Sequence, residues 1–127
     1  MKIQTHGKID QTLCGTPVSV GNGKSRLEFT ASGQMQVDAS GLVHGGFIFG
    51  LADHAAMVAV NHPNVVLGAA EVRFVPPVKA NERLVAEAAT LNVEGKKHTV
   101  SVIVTSGEKK VFSGQFVCFV LDQHVLS

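Results

Sequence analysis

Residues 43–60 read Val43-His44-Gly45-Gly46-Phe47-Ile48-Phe49-Gly50-Leu51-Ala52-Asp53-His54-Ala55-Ala56-Met57-Val58-Ala59-Val60. A glycine pair opens a helix that is apolar on nearly every face, and a helix of that kind is a buried one. Asp53 is the anomaly in it. Burying an ionised carboxylate without partners costs several kcal/mol or forces it to take up a proton, so this group must be compensated or in use. At the other end, Gly45 and Gly46 expose backbone N–H groups where the first donors of a helix lack intrahelical acceptors and the helix dipole favours negative charge. That combination suits an oxyanion.

The spacing carries a statement about assembly. Gly45 and Asp53 are eight residues apart, which at about 1.5 Å rise per residue is roughly 12 Å along one helix. A single small reacting group does not touch both. If both serve one site, the carboxylate and the glycine N–H come from two copies of the helix related by a two-fold axis, and the chain is a homodimer with two equivalent interfacial sites.

Around this helix, 127 residues suffice for one domain with one core. Eleven Lys and Arg against ten Asp and Glu leave a net charge of +1, so no global basic field points to nucleic acid. The absence of Trp and Tyr removes the large aromatic platforms on which single strands stack. Cys14 and Cys118 have no metal-ligand spacing, and the start Met1-Lys2-Ile3-Gln4-Thr5-His6 has no apolar signal core. A reducing cytoplasm is the expectation. The apolar run 47–60 is too short, and too interrupted by Asp53 and His54, to span a bilayer. No membrane, nucleic-acid, metal or prosthetic-group partner is expected.

Working outward, residues 1–16 lack strong periodicity and read as a docked arm or short helix. Val18-Ser19-Val20 and Arg26-Leu27-Glu28-Phe29-Thr30 flank Gly21-Asn22-Gly23-Lys24 as a hairpin. Gln34 to Leu42 is a polar, glycine-containing approach to the helix. Asn61-His62-Pro63-Asn64 stops it, because proline drives the preceding residue to extended geometry. Strands follow at Val65–Val75, ending on Pro76-Pro77, then at Arg83–Val93, His98–Thr105 and Lys110–Leu121. Turns lie at Glu94-Gly95-Lys96-Lys97 and Ser106-Gly107-Glu108-Lys109. Consecutive strands with short turns read as an antiparallel meander. One helix and one sheet make an α+β layer fold, and a helix without a polar face fits a sheet that wraps it.

Several motifs in order carry a resemblance. They are His44-Gly45-Gly46 with Asp53 nine residues after the histidine, Arg73-Phe74-Val75-Pro76-Pro77-Val78, Leu84-Val85-Ala86-Glu87-Ala88, and Gly95-Lys96-Lys97, together covering about residues 40–105. In these the chain resembles hotdog-fold thioesterases of the phenylacetate-pathway (PaaI-like) type. The resemblance implies a five- or six-stranded sheet around one long helix, dimers joined edge to edge and often paired again, and an acyl-CoA thioester site between helices. It implies that Asp53 is the catalytic carboxylate, as nucleophile or as base for water. By the same resemblance Gly45 is the backbone donor to the thioester carbonyl, and His44 helps to position that carbonyl. Relatives often carry Asn or Gln where this chain has Asp38, and some carry Ser or Thr where it has Met57. The first departure brings a second negative charge towards the site if the loop follows the family path; the second removes a polar helper.

Thioester hydrolysis requires a base or nucleophile at the acyl carbon and donors aimed at the oxyanion, and a desolvated carboxylate has a raised pKa suited to the first task. The plainer reading of Asp53 is a carboxylate satisfied by backbone donors across an interface; for Gly45 and Gly46 it is close helix packing. His54 adjoins Asp53 but points about 100° around the helix and is assigned a structural role. Lys96 and Lys97 read either as a solvated turn or as contacts for coenzyme A phosphates. Gly46, Phe47, Phe49, Met57 and Phe74 are candidates for the substrate wall, although apolar side chains in a small domain are core by default. Three functions follow in order: an acyl-CoA thioesterase for small or medium acyl groups, an acyl-CoA-binding module with a sensor or regulatory role, and a hotdog hydratase or dehydratase. The third fits least, since five residues stand between Asp38 and His44 where the hydratase form expects a closer Asp.

Overall fold

The computed structural model describes residues 1–127. After an irregular arm comes helix α1 (Gln11–Cys14), then strands β1 (Thr16–Gly21) and β2 (Lys24–Thr30), a 3-10 turn (Gly33–Met35), the long helix α2 (Gly45–Val60), and strands β3 (Val65–Phe74), β4 (Arg83–Glu94), β5 (Lys97–Ser106) and β6 (Lys109–Val120). The strands form one antiparallel sheet in the order β1-β2-β4-β5-β6-β3, which packs around α2. This is the hotdog fold.

The reason α2 lacks a polar stripe is visible in its surroundings. Ile48, Leu51, Ala52, Ala55, Ala56, Met57, Val58 and Ala59 are all buried. Opposite them lie rows of inward side chains that run across the sheet in register: Leu27, Ala86, Val104 and Phe112 form one such row. The alanines of the helix let it approach this surface closely. Buried Ser25 on β2 fastens it, donating from its hydroxyl to the Ala55 carbonyl at 2.7 Å, so a polar atom in the core is satisfied rather than stranded.

The two ends of α2 follow their local chemistry. Asn61 adopts the left-handed conformation (φ 52°) and caps the last turn, its N–H reaching Met57 O at 2.9 Å. Its side chain also holds the arm: Oδ1 accepts from Gln4 N at 2.7 Å, and Nδ2 donates to Lys2 O at 2.9 Å. The β1–β2 hairpin turns on Asn22 (φ 56°) and Gly23 (φ 73°), the pair of positive φ values that a two-residue hairpin turn requires.

The sheet departs from the expected meander in one respect. Strands β4, β5 and β6 are consecutive neighbours, but β3 crosses the sheet and pairs with β6 at the far edge. The cause lies in residues 75–82. Pro76-Pro77 precludes a tight hairpin, and the segment instead crosses the start of α2, where Val43 N bonds Val78 O at 2.9 Å and Leu42 bridges Lys79. The two sheet edges are therefore unlike. Strand β1 carries Pro17 and an irregularity between Pro17 and Ser19, features that protect an edge from pairing. Strand β3 is ten residues long and contains neither Pro nor Lys; a bulge at Gly68 is its only interruption. Glu71 and Arg73 lie exposed on its outer face and form no ion pair with each other.

Candidate active site

Asp53 sits on the third turn of α2. Its Oδ1 atom is buried and has no hydrogen-bond partner, which is rare for a carboxylate in a native fold. The chain's two ion pairs, Arg26–Glu87 and Lys96–Asp122, both lie elsewhere. Burial without a cation pushes the Asp53 pKa up to about 6. The charge is felt by both cysteines. Burial, and then the neighbouring carboxylates, raise the Cys14 thiol, and burial with Asp53 pushes Cys118 up to about 12. Neither sulfur is a ready nucleophile.

His54 follows Asp53 in sequence but faces the other way, buried to 2% exposure. Its Nδ1 lies 2.9 Å from the Cys14 carbonyl, which only accepts, so Nδ1 carries the proton. The arm brings His6 onto this ring, stacked at 6.0 Å between centroids, and Thr5 Oγ1 lies 2.7 Å from His6 Nδ1. Burial lowers the pKa of both histidines, and their proximity lowers that of His6 further. This contact between the arm and the helix is absent from the sequence reading, and no local pattern in residues 1–9 signals it.

The glycine pair lies at the other end of α2. His44 is the N-cap residue, but no side chain caps the helix, and the N–H groups of Gly45 and Gly46 find no acceptor within the chain. Both glycines allow close approach. A Cβ on Gly45 would stand 3.2 Å from the Phe74 ring, and one on Gly46 would stand 3.0 Å from the His44 ring. His44 is exposed and meets Phe47 edge to face at 6.1 Å. Beside Gly45 is an apolar slot of about 200 Å³ lined by Leu42, Val43, Ile48, Phe74, Val78 and Val111 together with the Pro76-Pro77 segment. A larger groove of about 1000 Å³ between α1, β2 and β4 includes none of the expected site residues.

The remaining expectations fare unevenly. Met57, one turn after Asp53, is 1% exposed and belongs to the central core. Asp38 is exposed, and its carboxylate closes its own turn by accepting from Ser40 N at 2.8 Å, which lowers its pKa. Lys96 is engaged by Asp122 at 2.8 Å, a partner 26 residues away that sequence spacing does not reveal. Lys97 is exposed and forms no ion pair.

The sequence profile of the thioesterase superfamily matches residues 40–113. The chain is 46% identical over 123 residues to a methylthioribose-1-phosphate isomerase of Aquifex aeolicus, a match that takes in 96% of this chain but 27% of that protein. It is 33% identical over 85 residues to the transcription factor FapR of Caldanaerobacter subterraneus subsp. tengcongensis, covering 67% of this chain and 42% of FapR. The chain thus spans less than half the length of these curated relatives. An uncharacterized protein from Pyrococcus horikoshii superposes with a TM-score of 0.99 at 48% identity, over 100% of this chain and 98% of that one. A single-residue mutant of the phenylacetic acid degradation protein PaaI from Thermus thermophilus superposes with a TM-score of 0.80 at 26% identity, over 87% of this chain and 96% of that one.

Proposed function

The chain belongs to the thioesterase superfamily, with a PaaI-like hotdog fold, and from that premise we propose that it hydrolyses acyl-CoA thioesters of small or medium acyl groups at sites shared between two copies. The observation that carries this reading is the buried, unpartnered Asp53 carboxylate, whose pKa of about 6 suits a base at neutral pH. Its missing partner is then the substrate water. Asp53 takes a proton from that water as the oxygen attacks the acyl carbon. The tetrahedral oxyanion accepts the free Gly45 N–H at the start of the other helix, and His44 helps to orient the carbonyl. Collapse breaks the carbon–sulfur bond, and the departing thiolate recovers the proton from Asp53. No prosthetic group is required for this sequence of steps.

The free β3 edge supports a partner of the same kind. Pairing two β3 strands antiparallel about Val72 sets Glu71 opposite the partner's Arg73, and Arg73 opposite the partner's Glu71, a favourable cross-strand arrangement. A second reading, an acyl-CoA-binding regulatory module, draws on the likeness to a transcription factor.

Subunit mixing tests both readings. Gly45 is the first residue of α2, and His44 before it is extended (φ −65°, ψ 131°), a setting in which proline is tolerated. Gly45→Pro therefore removes the N–H with little damage to the helix, the Phe74 ring giving by a few tenths of an ångström. Mixed in equal amounts with Asp53→Asn chains, half the dimers are hybrids with one intact site of two. About a quarter of wild-type thiol release should return from two inactive parents. No recovery in confirmed hybrids refutes the shared site, and wild-type protein that binds acyl-CoA without releasing thiol establishes the binding module instead.

A further inference from the structure

The slot beside Gly45 makes the acyl specificity of this chain readable. Resting on the thioester reading above, we propose that the acyl tail lies in this slot with the Phe74 ring as its limiting wall, so that the protein selects uncharged acyl groups of medium length. The slot adjoins the residue whose N–H receives the carbonyl oxygen, so a tail leaving that carbonyl enters it directly. Its lining holds no charged side chain, and a second carboxylate buried there would be left without a partner. Dicarboxylic acyl groups are therefore excluded. At the roughly 30 Å³ that a water-sized atom occupies in a liquid, 200 Å³ holds about seven carbons. A straight tail of six or seven carbons or a benzyl group matches this; a palmitoyl tail does not.

Phe74 occupies a particular place in this geometry. Its ring lies 3.2 Å from where a Cβ on Gly45 would stand and meets Phe112 edge to face at 5.2 Å, while in the single chain 51% of its surface is open, on the strand edge that the proposed dimer covers. Phe112 itself is fully buried, which fixes one side of the ring. The Pro76-Pro77 segment and Val78 close the slot beneath, held by the Val43–Val78 and Val75–Val111 backbone bonds of 2.9 and 3.0 Å. The wall formed by Phe74 is thus the part that a single substitution can remove without cutting into the core, whereas Ile48, 5% exposed on α2, is a position from which a larger side chain fills the space.

The experiment measures kcat/KM and, separately, binding by calorimetry for acyl-CoA thioesters with acetyl, butyryl, hexanoyl, octanoyl, lauroyl, palmitoyl, phenylacetyl and succinyl groups. The wild type should peak at hexanoyl to octanoyl or phenylacetyl and disfavour succinyl by at least about tenfold relative to butyryl. Phe74→Ala should raise the lauroyl-to-hexanoyl ratio at least about tenfold, and Ile48→Phe should lower the octanoyl-to-butyryl ratio by a similar factor. A wild-type preference for palmitoyl or succinyl overturns the proposal even if neither variant folds. So does an unchanged ratio in variants whose melting and dimeric state match the wild type. Binding that follows the same length profile without thiol release keeps the slot and rejects hydrolysis; hydrolysis without a length profile does the reverse.

Discussion

Replacing Asp53 with Asn should abolish turnover and stabilise the fold at once. Burial raises the carboxyl pKa from 3.8 to about 6, so near pH 7.5 the ionised group destabilises the folded state. At 1.36 kcal/mol for each tenfold change in proton affinity, the penalty is about 3 kcal/mol. Asn removes the charge at nearly constant volume but leaves an amide in the same poorly satisfied position, and an unpaired buried amide costs about 1 kcal/mol or more. The net gain should be about 1 to 2 kcal/mol. Its pH dependence carries the sign. Between the unfolded value of 3.8 and the folded value of about 6, the folded chain holds more protons than the unfolded one, so the wild type gains stability from Asp53 as the pH falls. His6 and His54, whose pKa values burial lowers in the fold, act in the opposite direction, so the informative quantity is the difference between variant and wild type. That difference should shrink by about 2 kcal/mol between about pH 7.5 and 4.5. Urea unfolding at fixed protomer concentration supplies it, and thiol release supplies the rate. A variant less stable than the wild type near pH 7.5, or a rate within about tenfold of the wild type, refutes the account of Asp53 as a desolvated working base.

Turnover itself should follow the ionisation of Asp53: kcat/KM is expected to be flat above about pH 7 and to fall about tenfold per pH unit below about 6, read from a pH–rate profile. Alkylation should be slow at Cys14 and slower still at buried Cys118, whose thiol is pushed up to about 12, and mass spectrometry of iodoacetamide-treated protein should find full activity at early labelling times. Lys97→Ala should weaken acyl-CoA binding more than Lys96→Ala, because Asp122 already neutralises Lys96. The expected loss for the double replacement is about 1 to 3 kcal/mol with a smaller salt dependence and little change in kcat, which titration calorimetry at two ionic strengths measures.

Much of this architecture was legible from local pattern. A helix that is apolar all round announces a wrapping sheet, and the alternation in residues 83–121 places three strands to within one residue at each end. Asp53 and Gly45 stood out because each violates what its surroundings call for. What was not legible depends on contacts distant in sequence. The move of β3 to the far edge depends on a Pro-Pro crossover that reads locally as a strand end. The depth of Met57 in the core is not legible either, because a helix apolar on every face does not mark which of its residues lie deepest. The engagement of Lys96 by Asp122 and the stacking of His6 on His54 join segments 26 and 48 residues apart, beyond any periodicity.

The contrast between the two sheet edges bears on how the protein must be handled. An open strand of ten residues is a template for any extended chain, so on the proposed dimer a newly folded protomer faces a race between the correct neighbour and a tangled one. Dimer formation is second order in folded protomer, whereas coaggregation draws also on unfolded chains. Rapid dilution from denaturant should therefore yield less native protein when many chains are still unfolded, and slow addition of denatured chain to already assembled protein should yield more. On the dimer proposed above, the edge that would build the shared site thus also sets the recovery from the unfolded state.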